Sequence, residues 1–88
     1  MARAALLVTN NTVVDAQGDG IRVDGALGAL QTYVVSGNTV RGAAIVGYQI
    51  ACPAMFTGNA GAGNAKDLSV REPTSNIHCT LINNALVP

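Results

Sequence analysis

Leu6-Leu-Val-Thr-Asn-Asn-Thr-Val13 and Tyr33-Val-Val-Ser-Gly-Asn-Thr-Val40 align residue for residue at an offset of 27. Val8 falls on Val35, Asn11 on Asn38, Thr12 on Thr39 and Val13 on Val40. The same offset carries Gly20-Ile-Arg-Val23 onto Gly47-Tyr-Gln-Ile50. A period in the range of 20 to 50 residues marks a stacked-repeat architecture, in which each unit buries its apolar face only against its neighbours.

Within a copy the apolar pattern has period two. Leu6 and Val8, Tyr33 and Val35, Ile21 and Val23, and Tyr48 and Ile50 each flank one intervening residue, as the inward face of a strand requires. The first copy therefore divides into strands at Leu6–Val8, Thr12–Val14 and Ile21–Val23. Asn10-Asn11 separates the first two and Ala16-Gln-Gly-Asp-Gly20 the last two. Short strands stacking on their equivalents one copy later describe the coil of a parallel β-helix.

A further copy starts near the end, where Cys79-Thr-Leu-Ile-Asn-Asn-Ala-Leu86 sets Leu81 under Val35, Asn84 under Asn38 and Leu86 under Val40 at an offset of 46. The surplus over one period falls within residues 51–78, which are rich in proline, glycine and asparagine. That composition reads as a loop insertion containing a short strand at Leu68–Val70. Asn11, Asn38 and Asn84 thereby form one column, the expected structural ladder. Asparagine accepts positive φ in a tight bend, and its amide can bond to the equivalent amide one coil away.

The motif Val-x-x-Asn-Thr-Val followed by Gly-Ile-x-Val resembles the right-handed parallel β-helix repeat of the pectin-lyase-like superfamily, over residues 6–50 and 79–88. The expected fold is all-β: a short right-handed parallel β-helix of about two and a half to three coils, with boundaries near 6–32, 33–78 and 79–88. The resemblance implies two kinds of role. One is a structural or binding component of a phage particle, tailspike-like or capsid-associated and located in the virion. The other is a non-catalytic scaffold fragment of a polysaccharide-degrading enzyme, with polysaccharide as its ligand class.

Composition narrows the remaining classes. The five basic and five acidic residues balance to a formal charge of zero, and no basic stripe is present to neutralise phosphates, so nucleic acid is not an expected partner. No apolar run reaches the length of a membrane-spanning helix, and the run after Arg3 is too short for a signal-peptide core. Aromatics are confined to Tyr33, Tyr48 and Phe56, which suits a thin core of small and β-branched side chains. The repeat turns Cys79 inward, so a buried thiol is expected rather than a bridge to Cys52.

Motifs with chemical meaning are few. Gly58-Asn-Ala-Gly-Ala-Gly63 has the glycine spacing of a phosphate-binding loop but carries Asn64 where that loop needs lysine. Asp15, Asp19 and Asp24 map onto Gly42, Val46 and Ala51, so no carboxylate stacks on another and paired acid–base chemistry has no seat. His78 is expected to face outward without a ligand-spaced partner, and no cofactor or metal is expected. No stretch resembles an end cap, which leads to an expectation of association, either as a side-by-side trimer or stacked on another chain. Met55 and Phe56, the large apolar residues of the 51–78 segment, are the expected contacts with a partner.

Overall fold

The computed structural model describes residues 5–24, 32–72 and 78–86. Its elements are β1 (Ala5–Thr9), β2 (Thr12–Val14), β3 (Ile21–Val23), β4 (Thr32–Ser36), β5 (Thr39–Arg41), β6 (Tyr48–Ala51), β7 (Ala54–Thr57), β8 (Ala60–Ala62), β9 (Leu68–Arg71) and β10 (Thr80–Ile82). They make three parallel sheets, ordered β1-β4-β7-β10, β2-β5-β8 and β3-β6-β9. The chain visits the three sheets in rotation, and each strand from β1 to β7 pairs with the strand three places later in sequence. A bridge between Ala60 and Ala85 carries the second sheet into the fourth circuit.

The first circuit registers on the second as the repeat requires, with Val8 on Val35, Val13 on Val40 and Ile21 on Tyr48. Residues 51–72, the described run of the expected 51–78 insertion, are not a loop. They hold β7, β8 and β9, a complete third circuit placed one layer above the second, with Phe56 on Val35, Ala60 on Thr39 and Leu68 on Tyr48. The expected coil at 33–78 is therefore two circuits, and Cys79–Leu86 opens the fourth. Leu81 lies on Phe56, not on Val35.

Inward side chains stack in columns between the sheets. Val35, Val40, Tyr48, Ile50 and Phe56 are fully buried, and the Phe56 ring meets Tyr48 edge-on with centroids 4.9 Å apart. Phe56 is thus a central core residue and cannot be a partner anchor as expected. The strand alternation that turns it inward turns its neighbour Met55 out, 45% exposed. Burying a phenylalanine of this kind contributes about 1.5–3 kcal/mol.

Position 61 shows why the third circuit escapes a search for apolar identity. Gly61 lies where the lower layer has Val40, because the buried Asp67 carboxyl occupies the space a side chain would need. A Cβ on Gly61 would approach the Asp67 Cγ to 2.9 Å. Asn64 holds that carboxyl, its amide donating to Asp67 Oδ1 at 2.7 Å and to the Val40 carbonyl at 3.1 Å. The Tyr48 hydroxyl lies 2.6 Å from the Ala60 carbonyl and 3.0 Å from that of Asn38. Burial pushes its pKa up to about 12, opposed by the Ala60 hydrogen bond and reinforced by the charge of Asp67.

The cysteines are joined. Cys52 and Cys79 form a disulfide with Cα atoms 5.0 Å apart, correcting the expectation of a free buried thiol. Cys52 closes the corner before β7 and Cys79 precedes β10, so the bridge ties the start of the third circuit to the start of the fourth.

Candidate functional site

The first corner of each circuit is built from a repeated pair of residues. Asn10, Gly37, Gly58 and Asn83 take positive φ, between 55° and 67°. The next residue in each case, Asn11, Asn38, Asn59 and Asn84, supplies the ladder. The division of labour differs from the expected one: the residue before the ladder asparagine makes the bend, which leaves the ladder side chain free to point into the stack. At Gly37 the geometry demands glycine twice over, through its φ of +67° and because a Cβ there would meet the Asn10 Oδ1 at 2.6 Å.

Four rungs follow one rule. Asn38 Oδ1 accepts from the main-chain N–H of Asn11 at 2.9 Å and from its side-chain amide at 3.0 Å. Asn59 Oδ1 accepts the same two bonds from Asn38, and Asn84 Oδ1 accepts them from Asn59. The remaining amide hydrogen of each rung goes to a carbonyl one circuit back: Asn38 to Val8, Asn59 to Val35 and Asn84 to Phe56, each at 2.9 Å. Asn11, Asn38 and Asn84 lie in one column as the sequence suggested, but Asn84 rests on Asn59 rather than on Asn38. Asn59 is the member the repeat missed. Its signal was present in Thr57-Gly-Asn-Ala60, which matches Ser36-Gly-Asn-Thr39 at an offset of 21 instead of 27.

The ladder is directional. Asn38 and Asn59 are buried and fully engaged, whereas Asn11 is exposed and Asn84 half-buried. Among the described residues, nothing donates to the Asn11 Oδ1, and the Asn84 main-chain N–H has no acceptor. One end of the stack thus offers an acceptor and the other a donor. The core opens at the same two ends, where the inward Leu6 and Leu81 are 42% and 49% exposed. Both belong to outermost strands of the first sheet, β1 and β10.

The outer faces of the sheets differ in character. On the first sheet Leu7, Val34 and Met55 form an outward apolar column, with Leu7 67% exposed, beside a hydroxyl column of Thr9, Ser36 and Thr57. On the third sheet the outward Arg22, Gln49 and Ser69 align. Arg22 donates to Asp24 at 2.8 Å and lies 3.8 Å from Asp19, so the two carboxylates flank a guanidinium instead of pairing as acid and base. An exposed pair of this kind contributes less than about 1 kcal/mol. His78 is exposed and sits 2.6 Å from Glu72. Gly58–Gly63 forms the first corner of the third circuit together with β8. Among the described residues no cluster of three metal-ligating side chains occurs.

No family model, curated protein or solved structure matches this chain.

Proposed function

We propose that this chain is a short right-handed parallel β-helix of the pectin-lyase-like kind, and that it works as a structural and binding component of a larger assembly, tailspike-like, on the outside of a phage particle. One observation carries the reading: the core column is sealed in the second circuit and opens toward both ends of the stack, with Leu6, Val70 and Leu81 between 39% and 49% exposed. A solenoid stabilises its terminal units by capping or by contact with another body, because an apolar cross-section facing water forfeits the burial that holds the inner units together. The Cys52–Cys79 bridge supports an exterior place, since disulfides persist on virion and cell surfaces and are reduced in the cytosol. The alignment of Arg22, Gln49 and Ser69 on one outer face supports a binding surface with the polarity to meet a polysaccharide.

Sedimentation velocity between 1 and about 100 μM tests the assembly. Species above the 8.9 kDa protomer, growing with concentration, are expected. A single species of protomer mass across that range would refute the reading.

A further inference from the structure

We propose that copies of this chain stack head to tail, the β10 end of one against the β1 end of the next, so that the asparagine ladder runs on from Asn84 into Asn11 of the following copy. The proposal rests on the assembly reading above and assigns its geometry.

Each hydrogen-bond series in the first corner, advanced by one rung, crosses the junction with donors facing acceptors. In the ladder, Asn84 N–H and its spare amide hydrogen meet the vacant Oδ1 of Asn11 in the next copy, repeating what Asn59 does to Asn84. The spare amide hydrogen of that Asn11 finds the Leu81 carbonyl below, as Asn84 finds Phe56. The main chain behaves alike. Asn10, Gly37 and Gly58 donate to Ser36, Thr57 and Ile82, so Asn83 donates to Thr9 of the next copy. Thr39, Ala60 and Ala85 donate to Asn11, Asn38 and Asn59, so Thr12 of that copy donates to Asn84.

The apolar columns continue too. Leu81 tops the column of Val8, Val35 and Phe56 and would be covered by the next Val8. Leu86, packed on the core one residue beyond the Ala60–Ala85 bridge, would be covered by Val13. The contact belongs to the first and second sheets. Among the described residues the third sheet has no strand in the fourth circuit.

The ladder disfavours the symmetric alternative: two β10 ends face to face would set Asn84 donors against Asn84 donors, and two β1 ends the Asn11 Oδ1 against its own copy. The strand edges carry both donors and acceptors, but in a symmetric contact they would run antiparallel and the inward columns would not continue in register. A head-to-tail contact is heterologous and does not close after two subunits, so it builds an open series.

The test is sedimentation with negative-stain microscopy on the full chain and two variants. Val14→Pro is the blocking variant. Val14 lies on the outermost strand of the second sheet, and the bonds of Thr39 to Asn11 and of Asp15 to Arg41 place its N–H on the free edge. Proline is tolerated there in the monomer and removes a donor from the junction. Met55→Ser alters the outer apolar face and leaves both ends intact. The expected result is a series of multiples of 8.9 kDa for wild type and Met55→Ser, collapsing to one species of protomer mass for Val14→Pro with an unchanged circular dichroism spectrum. Leu81→Lys, which sets a charge on the other end, gives the same collapse if Val14→Pro fails to fold. A single closed dimer or trimer that survives both end variants and is lost in Met55→Ser would overturn stacking and leave the assembly reading standing. Wild-type protomers at every concentration would overturn both.

Discussion

Asn38→Ala tests the ladder where it is fully enclosed. Asn38 is 1% exposed and its side chain makes four hydrogen bonds: two accepted from Asn11 and one donated to each of Val8 and Asn59. The consequences of removing it are unequal. Asn11 is exposed, so water replaces both of its lost acceptors at little cost. The Val8 carbonyl and the Asn59 Oδ1 face the interior, although the latter keeps the Asn38 main-chain donor at 3.1 Å. An unsatisfied buried group costs about 1–3 kcal/mol, and the volume left by the amide adds a cavity term, giving a loss of about 3–5 kcal/mol. A chain of 88 residues has a total stability of about 4–13 kcal/mol at typical values per residue. Asn38→Ala therefore removes a large share of it. Asn11→Ala, on the outermost rung, gives up one side-chain bond at a wet site and costs less than about 1 kcal/mol. Urea unfolding followed by far-ultraviolet circular dichroism, at a protomer concentration low enough that copies are dissociated, measures both. Equal losses in the two variants, or a loss below 1 kcal/mol for Asn38→Ala, would refute the assignment of the inner rungs as buried obligate partners.

Other consequences are as direct. Non-reducing mass analysis after alkylation should find no free thiol, and Cys52→Ser with Cys79→Ser should cost about 3.5 kcal/mol from the loss of a closed 27-residue loop; alkylation of both cysteines in the native protein would count against the bridge. Phe56→Ala should cost about 3–5 kcal/mol while Met55→Ser changes stability by less than about 0.5, and the reverse ranking would place the wrong residue inside. The Tyr48 pKa is raised from 10.0 to about 12, so the neutral hydroxyl's contribution is whole below pH 10 and is lost as pH climbs from 10 through 12. Wild type should therefore lose stability across that window relative to Tyr48→Phe, and parallel curves would refute it. Gly37→Ala, at positive φ and against Asn10, should destabilise by more than 1 kcal/mol, whereas Gly18→Ala, with nothing within 4 Å, should be neutral or slightly stabilising; thermal melts that fail to separate the two would contradict the corner geometry.

The first two circuits were legible because the residues that make strands and corners recur at one spacing. Val8 and Val35, Asn11 and Asn38, and Ile21 and Tyr48 all obey an offset of 27. The third was hidden by three independent changes. The second circuit is shorter than the first, so Phe56 and Asn59 lie 21 residues after their counterparts. The third circuit exchanges Val40 for Gly61 in its inward column, with the missing volume supplied from Asp67 across the stack. Its turn residues also match the general composition of a loop, and composition cannot distinguish a corner of a repeat from an irregular segment. The disulfide was illegible for a related reason. Its feasibility depends on the Cα separation of Cys52 and Cys79, and that follows only once residues 51–78 are known to make one full circuit. Met55 and Phe56 are legible as large and apolar, but which of them faces inward depends on the register of β7 on β4.

The circuits tolerate these changes because variation is confined to particular corners. From β1 to β2, β4 to β5 and β7 to β8 the connection is always two residues, a positive-φ residue and a ladder asparagine. From β6 to β7 the chain turns through Cys52-Pro53 alone, whereas β3 to β4 and β9 to β10 take eight residues each. Almost the whole difference between a 27-residue and a 21-residue circuit thus lies in the third corner. The ladder corner cannot vary, since one added residue would move an asparagine out of its column and strand its partners above and below. The third corner has no such ladder among the described residues, and there the covalent bond between Cys52 and Cys79 joins layers that asparagine joins elsewhere. Register is accordingly held at opposite extremes of strength, by many weak polar bonds at one corner and by one strong bond at another. The ladder corner is the one whose length does not change from circuit to circuit.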